Sequence, residues 1–374
     1  MNLHPLVVAI VVVDALGLLA IGLAIPTALR VVLHWAPGEA SRAQLELERF
    51  AEQSTAYGRL GFALHAATLG LLITALNHVL PHVIPGAMCG FGALQAMPEG
   101  RMVLLLRAVS LAAFVVWLEI DRANGKLATG LLAPASARSL LVAAPLAAVS
   151  TWQTVTSLRQ VNVQTPVSCC ATVYRLVEGS SVQQALPRIG TAGVVSTVAG
   201  AMLIATMALV LRARSKPLGP WIAASLGVAV AAWSAVGVWT LVDEGAPYIY
   251  GVMGHRCPFC LMLPAHAGVG YVVYGAVAVA MADALRLLVD ARLGDSGNDP
   301  EALRVRRRRL VRVAVAVVVF VAASLGPALW WRARHGVWYE AACPSSPWSP
   351  PPPSAPGTSR TSTATTAAWY GSLA

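Results

Sequence analysis

Eight stretches of this chain are apolar on every side over the length of a bilayer crossing. The hydrocarbon core of a membrane is ~30 Å thick and takes about 20 helical residues to span. Runs of that kind, bounded by charges or turn residues, extend from Leu6 to Leu29, Leu60 to Leu80, Met102 to Ile120, Ser139 to Leu158, Gly190 to Leu211, Pro220 to Val242, Leu261 to Leu285 and Leu310 to Trp331. Strands of a transmembrane barrel alternate apolar and polar positions over ~10 residues, and these runs do not alternate. The pattern predicts an all-α polytopic integral membrane helix bundle of about eight transmembrane helices. Residues 1–335 form this domain, and the Pro/Ser/Thr-rich segment 336–374 cannot bury a core and is expected to be a disordered tail.

Composition agrees with the pattern. The 374 residues are 57% hydrophobic and 12% charged, where soluble domains carry roughly 45–50% apolar and about 25% charged residues. A single soluble domain is excluded. The net charge of +10 punctuates the apolar runs, so it reads as membrane topology and not as a nucleic-acid footprint. Of the 27 basic residues, 18 lie on the loops 1–2, 3–4, 5–6 and 7–8. The positive-inside rule places those loops in the cytoplasm and both termini outside. Basic usage that is nearly all Arg, with abundant Ala, Val and Leu, suggests a high-GC bacterial genome and therefore a bacterial inner membrane. The N-terminus lacks a basic n-region, so the first span is expected to remain in the mature protein. Arg306 to Arg309 read as a stop-transfer anchor before span 8, with a nucleic-acid or lipid-binding role as the alternative. No nucleic-acid module is visible.

The cysteines sharpen the functional reading. Cys89, Cys169, Cys170, Cys257, Cys260 and Cys343 all fall on the predicted outer, periplasmic side, where thiols tend to pair. Cys257 and Cys260 belong to His255-Arg256-Cys257-Pro258-Phe259-Cys260, entering span 7. At a helix N-terminus, free N–H groups and the helix dipole stabilise a thiolate, and Arg256 and His255 add positive charge. Cys257 is expected to be the more exposed, attacking thiol and Cys260 the resolving one. The tetrapeptide looks like a glutaredoxin active site, without the βαβ context of that fold. In layout the site is similar to the quinone-linked membrane thiol oxidoreductases of the DsbB and vitamin K epoxide reductase kind. That resemblance implies Cys257 and Cys260 as the membrane-proximal pair, Cys89 and Cys169 or Cys170 as loop partners, and a quinone or another membrane carrier exchanging electrons with a periplasmic thiol protein.

Two further readings stay open. His78 and His82 close span 2 shortly before Cys89, and His255 and His266 flank the Cys-x-x-Cys. Thiolate and imidazole donors on one face suit Cu(I) or Zn, which implies a copper- or haem-handling accessory protein for a periplasmic metalloprotein. Covalent haem attachment is disfavoured, because Leu261 stands where that motif needs His. The third reading is a transporter or structural membrane component whose cysteines form staple disulfides. Asp14 in span 1 and Arg107 in span 3 lie at similar depth and are expected to pair, structurally or at a proton or quinone-headgroup site. His65 is expected to be a helix-contact residue away from the cysteines. The polar run Ser150 to Ser157 in span 4 either lines a cavity or hydrogen-bonds neighbouring helices.

Overall fold

The computed structural model describes residues 4–36, 41–125, 127, 130–164, 166–167, 190–212, 220–251, 255–293 and 300–336. Among them all regular structure is helical. Eight long helices follow the eight apolar runs: α1 Pro5–His34, α2 Arg42–His78, α3 Gly100–Asn124, α4 Ala133–Arg159, α5 Gly190–Arg212, α6 Pro220–Thr240, α7 Val269–Arg292 and α8 Pro300–His335. Seven segments are long and apolar enough to cross a membrane, and the apolar part of α5, Ser196–Arg212, is shorter. The chain is a multi-pass membrane protein of helix-bundle architecture. The tail beyond residue 336, with Cys343, lies outside the described residues, as do Cys169 and Cys170.

Three boundaries depart from the sequence pattern, each for a local reason. Helix α2 starts far ahead of Leu60. Its N-cap Ser41 accepts from the Gln44 N–H at 3.2 Å, and Gln44 and Leu47 turn inward while the charges of this stretch face out, so the helix continues beyond the apolar run. Arg42, Arg49 and Arg59 are therefore on a helix and not in a loop. Helix α8 likewise begins at Pro300, which makes Arg304 to Arg309 helical. Helix α7 begins at Val269 and not at Leu261. Pro264 holds Leu263 extended (ψ 148), as the residue before proline usually is. Ala267 and Gly268 are left-handed, so the chain makes two single turns, Cys260–Met262 and Pro264–His266, before the helix starts. A π-helical segment, Leu241–Gly245, widens the end of span 6. Pro247 follows it and lacks the N–H an α-helix would direct at Asp243, and the Ala246 N–H reaches back to the Leu241 carbonyl.

The helices pack as two halves. Helices α1 to α4 contact one another, as do α5 to α8, and α3 meets α7 between them. Close approach of α1 and α2 depends on glycine, since a Cβ on Gly61 would lie 2.4 Å from Ile21 Cγ1. Phe114 and Trp117 fill the first half among small alanines. Trp233 meets Phe320 edge-on in the second, with centroids 4.9 Å apart, a geometry contributing about 0.5–1.5 kcal/mol beyond the area it buries. At one end of the seam, the buried guanidinium of Arg309 on α8 bridges Glu119 of α3 and Asp290 of α7.

Candidate functional site

The opposite end of the seam holds the cysteines. Beyond α2 the chain makes the short helix Leu80–Val83 and turns at Gly86. That residue is left-handed (φ +76), and a Cβ there would stand 2.4 Å from the Val167 carbonyl oxygen, so only glycine fits. The turn delivers Cys89 in extended conformation as N-cap of the helix Gly90–Ala96. Gly90 then lies flat between its own half and the other, where a Cβ would meet Asn77 Oδ1 of α2 at 2.6 Å and Phe259 Cδ1 of the other half at 2.8 Å.

The second half supplies the Cys-x-x-Cys. Left-handed Gly251 ends the helix Ala246–Tyr250, and hydroxyls from both sides hold the returning chain. Tyr250 donates to the Cys257 carbonyl, and Tyr274 of α7 donates to the Pro258 carbonyl at 2.9 Å. The halves are joined beside the site by Asn77 Nδ2 donating to Met262 Sδ at 3.2 Å and by a 3.2 Å hydrogen bond between His78 Nε2 and the Tyr271 hydroxyl.

Three sulfurs converge here. Cys89 Sγ is 3.4 Å from Cys257 Sγ, and the sulfurs of Cys89, Cys257 and Cys260 all lie within 4.8 Å of one another. His255 Nε2 is 3.2 Å from Cys260 Sγ. The pocket is greasy, walled by Phe91, Tyr250, Phe259 and Leu263. Cys89 and Cys257 are 0% exposed and Cys260 6%, which corrects the expectation that Cys257 is the more accessible thiol. Hydrogen bonds with the side chains of Cys260 and then Cys89, helped by backbone N–H groups of Cys260 and Phe259, hold the Cys257 thiol below its ordinary value against the burial that opposes them. Cys260, donating to that thiolate and itself buried, is pushed up. Burial lowers His255 and, with the neighbouring His255, lowers His266, which favours the neutral form of each ring.

The causes of that acidity differ from those expected. No long helix begins at Cys257, so the helix dipole is replaced by local N–H and S–H donors. Arg256 does not stand over the thiolate, because its guanidinium is paired with Asp243 at 2.7 Å. Among the described histidines, His255 is the one with a ring nitrogen against a thiol. His78 is taken by Tyr271, His266 stacks on Tyr250 with centroids 4.6 Å apart, and His82 is exposed.

Asp14 and Arg107 do pair, away from the sulfurs and within the first half. Arg107 Nη1 and Nη2 donate to Asp14 Oδ1 and Oδ2 at 2.8 and 2.7 Å, and Arg107 reaches His65 Nδ1 at 2.7 Å and Thr154 Oγ1 at 2.9 Å. All four side chains are at most 2% exposed. The cluster is enclosed, with His65 Nε2 and Arg107 Nε buried and without a hydrogen-bond partner. The polar run of span 4 serves helix contacts in the same way, with Thr154 on Arg107 and Ser157 donating to the Pro98 carbonyl at 2.8 Å.

Sequence reasoning missed the Glu119–Arg309–Asp290 bridge and the grip of Arg312 on Asp283 at 2.7 and 2.8 Å. The signal was present: Asp283 and Asp290 lie seven residues apart, on one face of span 7, opposite a basic helix. No protein-family model matches the chain, and neither a curated protein nor a solved structure matches it.

Proposed function

We propose that this membrane protein holds a soft, thiophilic metal ion, Cu(I) or Zn(II), in the Cys89/Cys257/Cys260 pocket and serves metal handling on the outer face of a bacterial inner membrane. The observation that carries this reading is the convergence of three buried sulfurs on one point. A trigonal or tetrahedral ion with metal–sulfur bonds of about 2.3 Å needs sulfurs a little under 4 Å apart, and soft thiolates select Cu(I) or Zn. Burial supports a bound ion over exchange with a protein disulfide, since no sulfur is open to a bulky partner. His255 decides the coordination: recruited, it completes a four-ligand zinc site, and left aside, it leaves three thiolates suited to Cu(I). The outward orientation rests on the distribution of basic residues, and reporter fusions at Glu178 and Asn298 test it.

The deciding experiment is metal content and X-ray absorption of the full-length protein purified without chelators. One ion per chain with three sulfur neighbours is expected, abolished in Cys89→Ser, Cys257→Ser and Cys260→Ser alike. A metal-free protein that regains no Cu(I) or Zn(II) overturns the reading.

A second reading is favoured by the 3.4 Å Cys89–Cys257 approach, about 1.4 Å beyond a disulfide bond. Oxidation there would join the Cys257 thiolate sulfur to that of Cys89, releasing the Cys89 proton and passing two electrons to a quinone-class acceptor, which takes up two protons to become a quinol. A Cys89–Cys257 disulfide in the isolated protein, reducible by a quinol, would favour it over metal binding.

A further inference from the structure

At the end of the bundle opposite the sulfurs, helix α8 divides its arginines by direction. Arg306 and Arg309 turn inward and are 6% and 1% exposed. Arg304, Arg307, Arg308 and Arg312 turn outward and, with Val311, line an open cavity of about 500 Å³. Arg312 spends its Nε and Nη2 hydrogens on Asp283, whereas Arg304, Arg307 and Arg308 have no acidic partner among the described residues. The same face then becomes apolar. Positions 304, 308, 311, 315 and 318 fall on one helical stripe at alternating steps of three and four, and Val311, Val315 and Val318 are 42%, 54% and 51% exposed. At 1.5 Å per residue the stripe runs about 21 Å, with cations at its head and valines below.

We propose that this stripe binds an anionic phospholipid, its phosphate held by Arg304, Arg307 and Arg308 and an acyl chain lying along Val311, Val315 and Val318. Guanidinium forks suit phosphate oxygens, and a cluster of basic side chains at a membrane face recruits acidic lipid. The apolar track selects the source of the phosphate. A soluble phosphate or a nucleic acid gains nothing from exposed Val315 and Val318, about 10 and 15 Å along the helix from Arg308, whereas an acyl chain covers them. The remaining two arginines of the block are committed to the protein and take no part.

The test uses full-length protein in detergent, titrated with phosphatidylglycerol or phosphatidylcholine and read by native mass spectrometry. Arg304→Gln/Arg307→Gln/Arg308→Gln is compared with Arg332→Gln/Arg334→Gln at the other end of the same helix. At the usual contribution of one basic residue near a charged membrane, the triple variant should bind phosphatidylglycerol about 100-fold more weakly, with phosphatidylcholine unchanged and the control variant like wild type. If the triple variant fails to fold, Arg308→Gln and Arg308→Lys replace it, the first expected to weaken binding and the second to retain it. Val315→Asn, which keeps every charge, should also weaken binding. Equal affinity for the two lipids, no loss in the arginine variants, or displacement of phosphatidylglycerol by millimolar inorganic phosphate or an oligonucleotide would overturn the proposal.

Discussion

Replacing Asp14 by asparagine removes the anion facing a guanidinium that has no contact with solvent. Arg107 is 0% exposed, and Asp14 takes two of its hydrogens at 2.8 and 2.7 Å. The other close partners, His65 Nδ1 and Thr154 Oγ1, are neutral acceptors. An uncompensated buried charge costs about 3–5 kcal/mol, so Asp14→Asn should lose that much. Arg107→Gln strands the carboxylate and should cost a similar amount. In the double variant both charges are gone, the amides can bond each other, and the loss is that of one or two hydrogen bonds, about 1–3 kcal/mol. The cycle therefore carries a coupling of more than about 3 kcal/mol, far above what unconnected sites show. Reversible unfolding of the four proteins in mixed detergent, followed by tryptophan fluorescence, measures it. Single-variant losses that simply add in the double variant would refute the argument, because the charges would then be solvated or compensated elsewhere.

Removing the Arg309 guanidinium leaves Glu119 and Asp290 facing each other, so Arg309→Gln should destabilise by about 3–5 kcal/mol in the same unfolding assay, and Arg309→Lys should not recover it, since one ammonium cannot present the two-armed fork. Burial and its neighbours push the Cys260 thiol up, so it must lose its proton to bind a metal, and metal uptake at neutral pH should release protons. Affinity should then rise with pH between 6 and 8, by at least about 10-fold per unit for one proton released, as read by chelator competition, and a flat profile would contradict the assignment. Gly90→Ala places a Cβ 2.6 Å from Asn77 Oδ1, so it should shift Cys89 and cut metal occupancy while leaving the fold and the Asp14–Arg107 cluster intact.

Much of the architecture was legible because the bilayer imposes a length on apolar runs, and that length survives without any knowledge of tertiary contacts. What failed was the fate of polar sequence beside those runs. Arg42 to Arg59 and Arg304 to Arg309 read as loops because charge ends an apolar stretch, yet charge does not end a helix, and Ser41 caps one. The centre was legible in part. Cys257 and Cys260 stand out by spacing, but their convergence with Cys89 depends on a glycine turn at position 86 and on the packing of Gly90, neither of which leaves a periodic trace. The histidines show the reverse error: His78 and His82 are near Cys89 along the chain, but the turn carries the cysteine inward while His82 faces out. Proline was underweighted, since Pro264, with left-handed Ala267 and Gly268 after it, moves the start of α7 by about two helical turns.

The three sulfurs are divided between the two halves of the bundle, one from the loop after α2 and two from the approach to α7. Occupancy of the centre is thereby tied to docking of the halves, and the tie is reciprocal. An ion that needs all three donors strengthens the seam, and any motion that slides α3 along α7 by an ångström or so must loosen the ion. Arg309 pins the same seam at its far end. On the proposed metal reading, releasing the ion therefore means parting the two halves at the sulfur end of the seam.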